Sequence, residues 1–134
     1  MDYMLDTNIC IYIIKRRPPE VIRRFQRSEV SRIGISSITL SELFYGASKS
    51  AHPARNRIAL TQFAAPLKIA PYDDEAAERY GDIRADLEKQ GTPIGALDML
   101  LAAHALSLGC TLVTNNTKEF ERIPTLKIGN WIAP

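Results

Sequence analysis

A chain of 134 residues, 46% hydrophobic and 24% charged, has the size and apolar content of one packed domain and not of a disordered segment. Its net charge of +2 is unevenly spread: residues 1–57 carry ten of the 17 Lys and Arg but five of the 15 acids. Neither a secretory leader nor a membrane span is expected, since Asp2 and Asp6 interrupt the start and the most apolar stretch, Ile94 to Val113, contains Asp98 and His104.

Taken in chain order, Tyr3–Leu5 predicts a short strand and Thr7–Lys15 a helix. Pro18-Pro19 ends that helix and opens another through about Arg27. Ile33–Ser36 predicts a second strand, and Thr39 to about Lys49 a helix with Leu40, Leu43, Phe44 and Ala47 at helical spacing. Pro53 opens a helix to about Ala64, and Leu67–Ala70 predicts a third strand. A long amphipathic helix over Asp73–Gln90 stops at Gly91, and a mostly apolar one over Ile94–Leu108 stops at Gly109. Thr111–Thr114 predicts a fourth strand, Thr117–Arg122 a short helix and Leu126–Ile128 a last strand. Strands alternating with helices imply an α/β domain over residues 1–134, with a mainly parallel sheet covered on both faces.

In such folds a ligand site lies beyond the carboxyl ends of the strands. Several acids fall there. Asp6 follows strand one, Glu42 lies one turn into the helix after strand two, and Asn116 and Glu119 follow strand four. Asp98 lies near the start of the helix that leads into strand four. Each has a plain structural reading. Asp6 suits an N-cap, Thr39-x-x-Glu42 reads as a capping box, Asn116-x-x-Glu119 as a near variant, and Asp98 gains from a helix dipole. Asp98 fits its reading least well, flanked as it is by Leu97, Met99, Leu100 and Leu101, because a buried carboxylate needs a partner. Converging carboxylates repel one another and require a cation. Oxygen ligands without thiolates or paired histidines favour Mg²⁺, or Mn²⁺, over zinc.

Cys10 and Cys110 have neither metal-ligand nor disulfide spacing and read as reduced core residues of a cytoplasmic protein. His104 reads as a structural residue of an apolar helix, His52 as solvated, and Ser36, Ser37 and Thr114 as strand-end residues that hydrogen-bond the acids. The basic clusters Lys15-Arg16-Arg17, Arg23-Arg24-x-x-Arg27 and Arg55-x-Arg57 suit a polyanion partner or a solvated helix surface equally.

The segments "MLDTNICIYIIK", "ISSITLSELFYGA" and "GTPIGALDMLLAAHALSLGCTLVTNNTKEFERI", with the terminal "NWI", resemble the PIN-domain ribonucleases, in particular the VapC toxins of VapBC toxin–antitoxin pairs. The resemblance runs nearly end to end. It implies a three-layer α/β/α fold with a five-stranded sheet, and a Mg²⁺- or Mn²⁺-dependent endoribonuclease of the bacterial cytoplasm held inactive by a VapB-type antitoxin. Carried over by position, Asp6 and Asp98 match the direct metal ligands. Glu42 matches an acid that holds a water of the ion's shell or a second ion. Thr7, Asn8 and Thr114 would support these acids. Where many relatives carry an aspartate, this chain has Asn116, and Glu119 would supply the missing carboxylate. The resemblance further implies an RNA substrate such as initiator tRNA cut in its anticodon loop, homodimers within the toxin–antitoxin complex, and contact with operator DNA only through the antitoxin. Other readings of the residues remain: a nuclease of the same fold with a different nucleic-acid target, or a non-catalytic protein whose acidic cleft docks a basic peptide.

Overall fold

The computed structural model describes residues 1–132. Five strands, β1 (Tyr3–Leu5), β2 (Ile33–Ser36), β3 (Lys68–Ala70), β4 (Thr111–Val113) and β5 (Ile128–Gly129), form one sheet in the order β3-β2-β1-β4-β5. Every pairing is parallel, so the sheet is wholly rather than mainly parallel. Seven α-helices connect the strands: α1 (Thr7–Lys15), α2 (Pro19–Arg27), α3 (Ser37–Ser48), α4 (Pro53–Ala64), α5 (Asp74–Gln90), α6 (Ala96–Leu108) and α7 (Thr117–Phe120).

Alternation along the strands divides the core in two. Met4 and Leu112 face one side, where they pack with Ile83 and Leu87 of α5, Met99 and Ala102 of α6, and Phe120. Leu5, Ile33, Ile35 and Val113 face the other, against Ile9 and Ile13 of α1, Val21 of α2, Leu43 of α3 and Leu60 of α4. These are the three layers the sequence implied. Each fully buried aliphatic side chain contributes roughly 1.5–3 kcal/mol of burial free energy before ordering costs. Gly34 permits the close approach of β3: a Cβ there would meet the Lys68 carbonyl oxygen at 2.8 Å. Gly91 and Gly109 end α5 and α6 at φ +70° and +66°, the left-handed conformation glycine adopts freely.

Several element ends differ from the sequence reading. Helix α3 starts at Ser37, directly after β2, because the Ser36 hydroxyl accepts from the Ile38 amide 3.0 Å away and caps it without a loop. Thr39 is therefore a buried helical residue and not a cap. Helix α6 starts at Ala96, and β5 lies one to two residues later than expected, where Ile128 and Gly129 pair with Leu112 and Val113.

The strand order reverses at β1. The chain proceeds outward through β2 and β3, then crosses back to place β4 on the other side of β1. The carboxyl ends of β1 and β4 thus flank the crevice where α/β sheets bind ligands.

Candidate active site

Asp6 sits at the end of β1 and performs two local tasks. It is the N-cap of α1, with its Oδ1 accepting from the Ile9 amide at 2.9 Å, and it is 6% exposed. Thr114, buried beyond β4, also donates a hydrogen bond toward it. Burial nevertheless pushes the Asp6 carboxyl above the ordinary carboxylate range, with Glu42 adding repulsion, and the hydrogen bonds only partly offset this.

Glu42 projects from the second turn of α3. Its Oε1 accepts from the Thr7 hydroxyl at 2.7 Å, and the same hydroxyl lies 3.5 Å from Thr39 Oγ1. The expected Thr39–Glu42 capping box is absent, because a residue 35 positions away holds the glutamate instead. Asp98, in the first turn of α6, is half-buried and its carboxyl is raised to about 6. The main cause is burial, followed by the neighbouring Glu119, which also shares a hydrogen bond with it, and then Asp6 and Glu42. Asn116 donates from Nδ2 to Asp98 Oδ2 at 3.4 Å, and its own amide donates to Thr114 Oγ1 at 2.9 Å. Asn116 stands at the N-cap position of α7 but makes no side-chain cap, so the near-capping-box reading fails there too.

Asp6, Thr7, Asn8, Glu42 and Asp98 line one cleft of about 490 Å³, walled by Gly95, Ala96, Leu97 and Leu101. Asn116 and Glu119 adjoin it through Asp98, and Thr114 lies beneath it through Asp6. All eight residues singled out from the sequence therefore meet at the β1/β4 crevice. Among the described residues, no lysine, arginine or histidine lines the cleft, and none of its acids forms an ion pair. No three carboxylate, histidine or cysteine side chains are drawn close enough among those residues to form a ready three-ligand set. The acids stand around an open space.

Ser36 and Ser37 do not bond the acids. Ser36 Oγ lies 2.8 Å from His104 Nδ1, and Ser37 Oγ accepts from the Tyr72 amide at 3.0 Å. His104 is structural, as expected: it is 1% exposed, burial favours its neutral form, and its bond to Ser36 ties α6 to the start of α3. That tie fixes the helix bearing Asp98 relative to the helix bearing Glu42. Cys10 and Cys110 are buried and unpaired, also as expected. Two further contacts near the site have no local sequence signal: an amide bridge from Asn130 Nδ2 to Asn115 Oδ1 at 3.2 Å and the packing of Arg24 over the Trp131 ring at 5.6 Å. Both join segments more than ten residues apart.

The chain is similar to curated proteins over almost its whole length. It is 48% identical over 132 residues to ribonuclease VapC2 of Haemophilus influenzae, covering 98% of this chain and 99% of that protein. It is also 48% identical to the tRNA(fMet)-specific endonuclease VapC of Salmonella typhimurium, covering 98% of each. Among solved structures it matches DNA-bound VapBC from Salmonella typhimurium with a TM-score of 0.92, 48% identity and 98% coverage of each chain. The model of the PIN domain family matches residues 3–126. With that match, and with relatives of this identity and coverage, the chain belongs to the PIN-domain family and, within it, to the VapC ribonucleases.

Proposed function

We propose that the chain is the toxin of a toxin–antitoxin pair in the bacterial cytoplasm, a divalent-metal-dependent endoribonuclease that cuts tRNA, with initiator tRNA as the target. The observation that carries the reading is the convergence of Asp6, Glu42 and Asp98, with Glu119 behind, on a cleft with no basic residue among its described lining. Such a set of hard oxygen donors fits Mg²⁺ or Mn²⁺, and the Asp6 and Asp98 carboxyls, raised first by burial and then by neighbouring acids, would gain from a cation's charge. Asp6 and Asp98 would hold the ion. When bound, it supplies Lewis acidity, activating water and offsetting the charge that builds on the phosphate.

The protein's own groups do the rest. Glu42 orients the attacking water and takes its proton, and the Thr7 hydroxyl holds the glutamate in place. Thr114 fixes the Asp6 carboxylate, while Asn116 steadies Asp98 with a neutral donor. Asn8, exposed at the rim, faces the substrate. Glu119 completes the acidic wall and, after burial, is the chief neighbour that raises the Asp98 carboxyl.

The tRNA target rests on the similarity to an endonuclease of that stated specificity. The antitoxin is inferred from the VapBC complexes this chain resembles and from a second groove, of about 330 Å³, between α1, α3 and α4. Ile11, Ile14, Leu43, Ala47 and Leu60 line it, and it opens on Glu42, which the two clefts share. An apolar tail lying in the groove would reach the acids and could set an arginine among them, bidentate to carboxylate. Ile14 of α1 lines the groove, whereas Ile9 and Ile13 of the same helix belong to the core.

The test is digestion of initiator tRNA, elongator tRNA, messenger RNA and single-stranded DNA with Mg²⁺ or EDTA, followed by mapping of the new ends. Selective, EDTA-sensitive cleavage of initiator tRNA by wild type, lost in Asp98→Ala, supports the reading. Equal cutting by Asp98→Ala refutes the site, and preference for another nucleic acid refutes the target.

A further inference from the structure

Beside the acidic site lies a cleft of opposite character. It has a volume of about 490 Å³ and runs between α2 and the Asn130–Trp131 segment that follows β5, with Arg23, Arg24 and Arg27 on its wall. The apolar residues of α2, Val21, Ile22 and Phe25, turn into the core, which leaves the three arginines exposed on the other side. Glu20 is the one acid lining the cleft, 4.0 Å from Arg23 in an exposed pair worth little. Arg24 and Arg27 form no ion pair among the described residues. Arg24 instead packs over Trp131, whose ring meets Tyr3 edge-on at 5.9 Å and is 4% exposed. This anchoring holds the guanidinium at the wall and reduces the entropy lost when it takes a ligand.

The cleft is physically joined to the acids. Asn130 donates to Asn115 at 3.2 Å, and the next residue, Asn116, donates to Asp98. A chain of phosphates leaving the acidic cleft past this turn would meet the arginines next.

We propose that the α2–Trp131 cleft is a binding subsite for the phosphodiester backbone of the RNA strand flanking the cut bond, with Arg24 and Arg27 as its principal phosphate contacts. The inference rests on the ribonuclease reading and adds to it the surface that positions the substrate. RNA is favoured over an acidic protein segment because the cleft offers no apolar seat. Its one large apolar ring is buried, whereas protein partners depend on such anchors and phosphates need only charge and donors.

The experiment measures binding of a labelled tRNA anticodon stem-loop by fluorescence anisotropy in EDTA from 50 to 200 mM salt, then single-turnover cleavage in Mg²⁺. Arg24→Gln/Arg27→Gln should raise Kd roughly tenfold and flatten the slope of log K against log salt by about 1.4 to 1.8, as expected for two lost phosphate contacts. The cleavage rate at saturating RNA should stay within twofold of wild type. Arg23→Gln/Arg27→Gln, which leaves the Arg24–Trp131 packing intact, should show the same direction and rule out a local folding defect. Arg84→Gln, on exposed α5, should change neither quantity. A slope and Kd unchanged in both double variants would overturn the subsite while wild-type cleavage upheld the ribonuclease reading. Wild type that binds the RNA through these arginines but never cuts it would overturn that reading alone. Loss of antitoxin affinity with RNA binding intact would assign the cleft to a protein and overturn the inference.

Discussion

Replacing Asp98 with asparagine should destroy activity and stabilise the apoprotein. Raising a carboxyl from an ordinary 3.8 to about 6 means that ionising it in the folded state costs roughly 3 kcal/mol more than in the unfolded chain. Asp98 is only half-buried, so solvent screening reduces this to about 1–2 kcal/mol. The sign follows from linkage. A carboxyl whose folded pKa is raised leaves the fold at full stability below its unfolded pKa, and that contribution is lost as pH rises through the folded value. Wild type should therefore lose about 1–2 kcal/mol between pH 4 and 7 through this residue, and Asp98→Asn should not. For a chain of 134 residues 1 kcal/mol is about 3.5 °C, so in EDTA at pH 8 the variant should melt about 4–7 °C above wild type. The gap should close toward pH 4. Mn²⁺ at pH 8 should raise the wild-type Tm and leave the variant's almost unchanged. Differential scanning calorimetry reads all three. A variant that melts at or below wild type at pH 8, or a gap that ignores pH, would refute the claim that repulsion and burial strain this carboxyl.

Three further outcomes are expected. Asp6→Asn keeps an oxygen to accept from the Ile9 amide, so it should hold its Tm while losing cleavage at least a hundredfold or so; Asp6→Ala should lose cleavage and, in thermal melts, about 1 kcal/mol of helix cap as well. Thr7→Val removes the hydroxyl that holds Glu42, and single-turnover cleavage should slow roughly tenfold to a hundredfold with RNA affinity unchanged. Asn116→Asp should move the midpoint of the pH–rate profile upward, because it replaces a donor to Asp98 with a fourth repelling carboxylate; an unmoved midpoint would show that position 116 does not govern Asp98.

The layers and most helices were legible in the sequence because their signals are local. Gly91 and Gly109 mark real left-handed stops, the apolar spacing of α3 and α5 is helical, and the apolar flanks of Asp98 pointed correctly to an uncomfortable carboxylate. What could not be read locally was the choice of partner. Thr39 and Glu42 have the spacing of a capping box, yet the glutamate is held by Thr7, and the cap is the strand residue Ser36. Asn116 has the position of a cap but donates to a residue 18 positions earlier. In each case a tertiary contact outbid a local one, and only the arrangement of β1, β2 and β4 brings the partners together. The place of β5 differs from the local signal for the same reason, since strand pairing sets its register.

The asparagine in the fourth position has a physical role in this geometry. Asp98 already faces Glu119, Asp6 and Glu42, and its carboxyl stands at about 6, one unit below neutrality. A fourth carboxylate at position 116, within reach of Asp98 Oδ2, would drive that value upward and leave part of the Asp98 population protonated near pH 7, unable to take a cation. An amide in the same place donates a hydrogen bond to the charged form and works in the opposite direction. Asn116 thus preserves an ionised Asp98 at neutral pH, and the acidity given up there is retained at one remove by Glu119. The departure from an all-acid motif thus lowers the negative charge next to Asp98 by one.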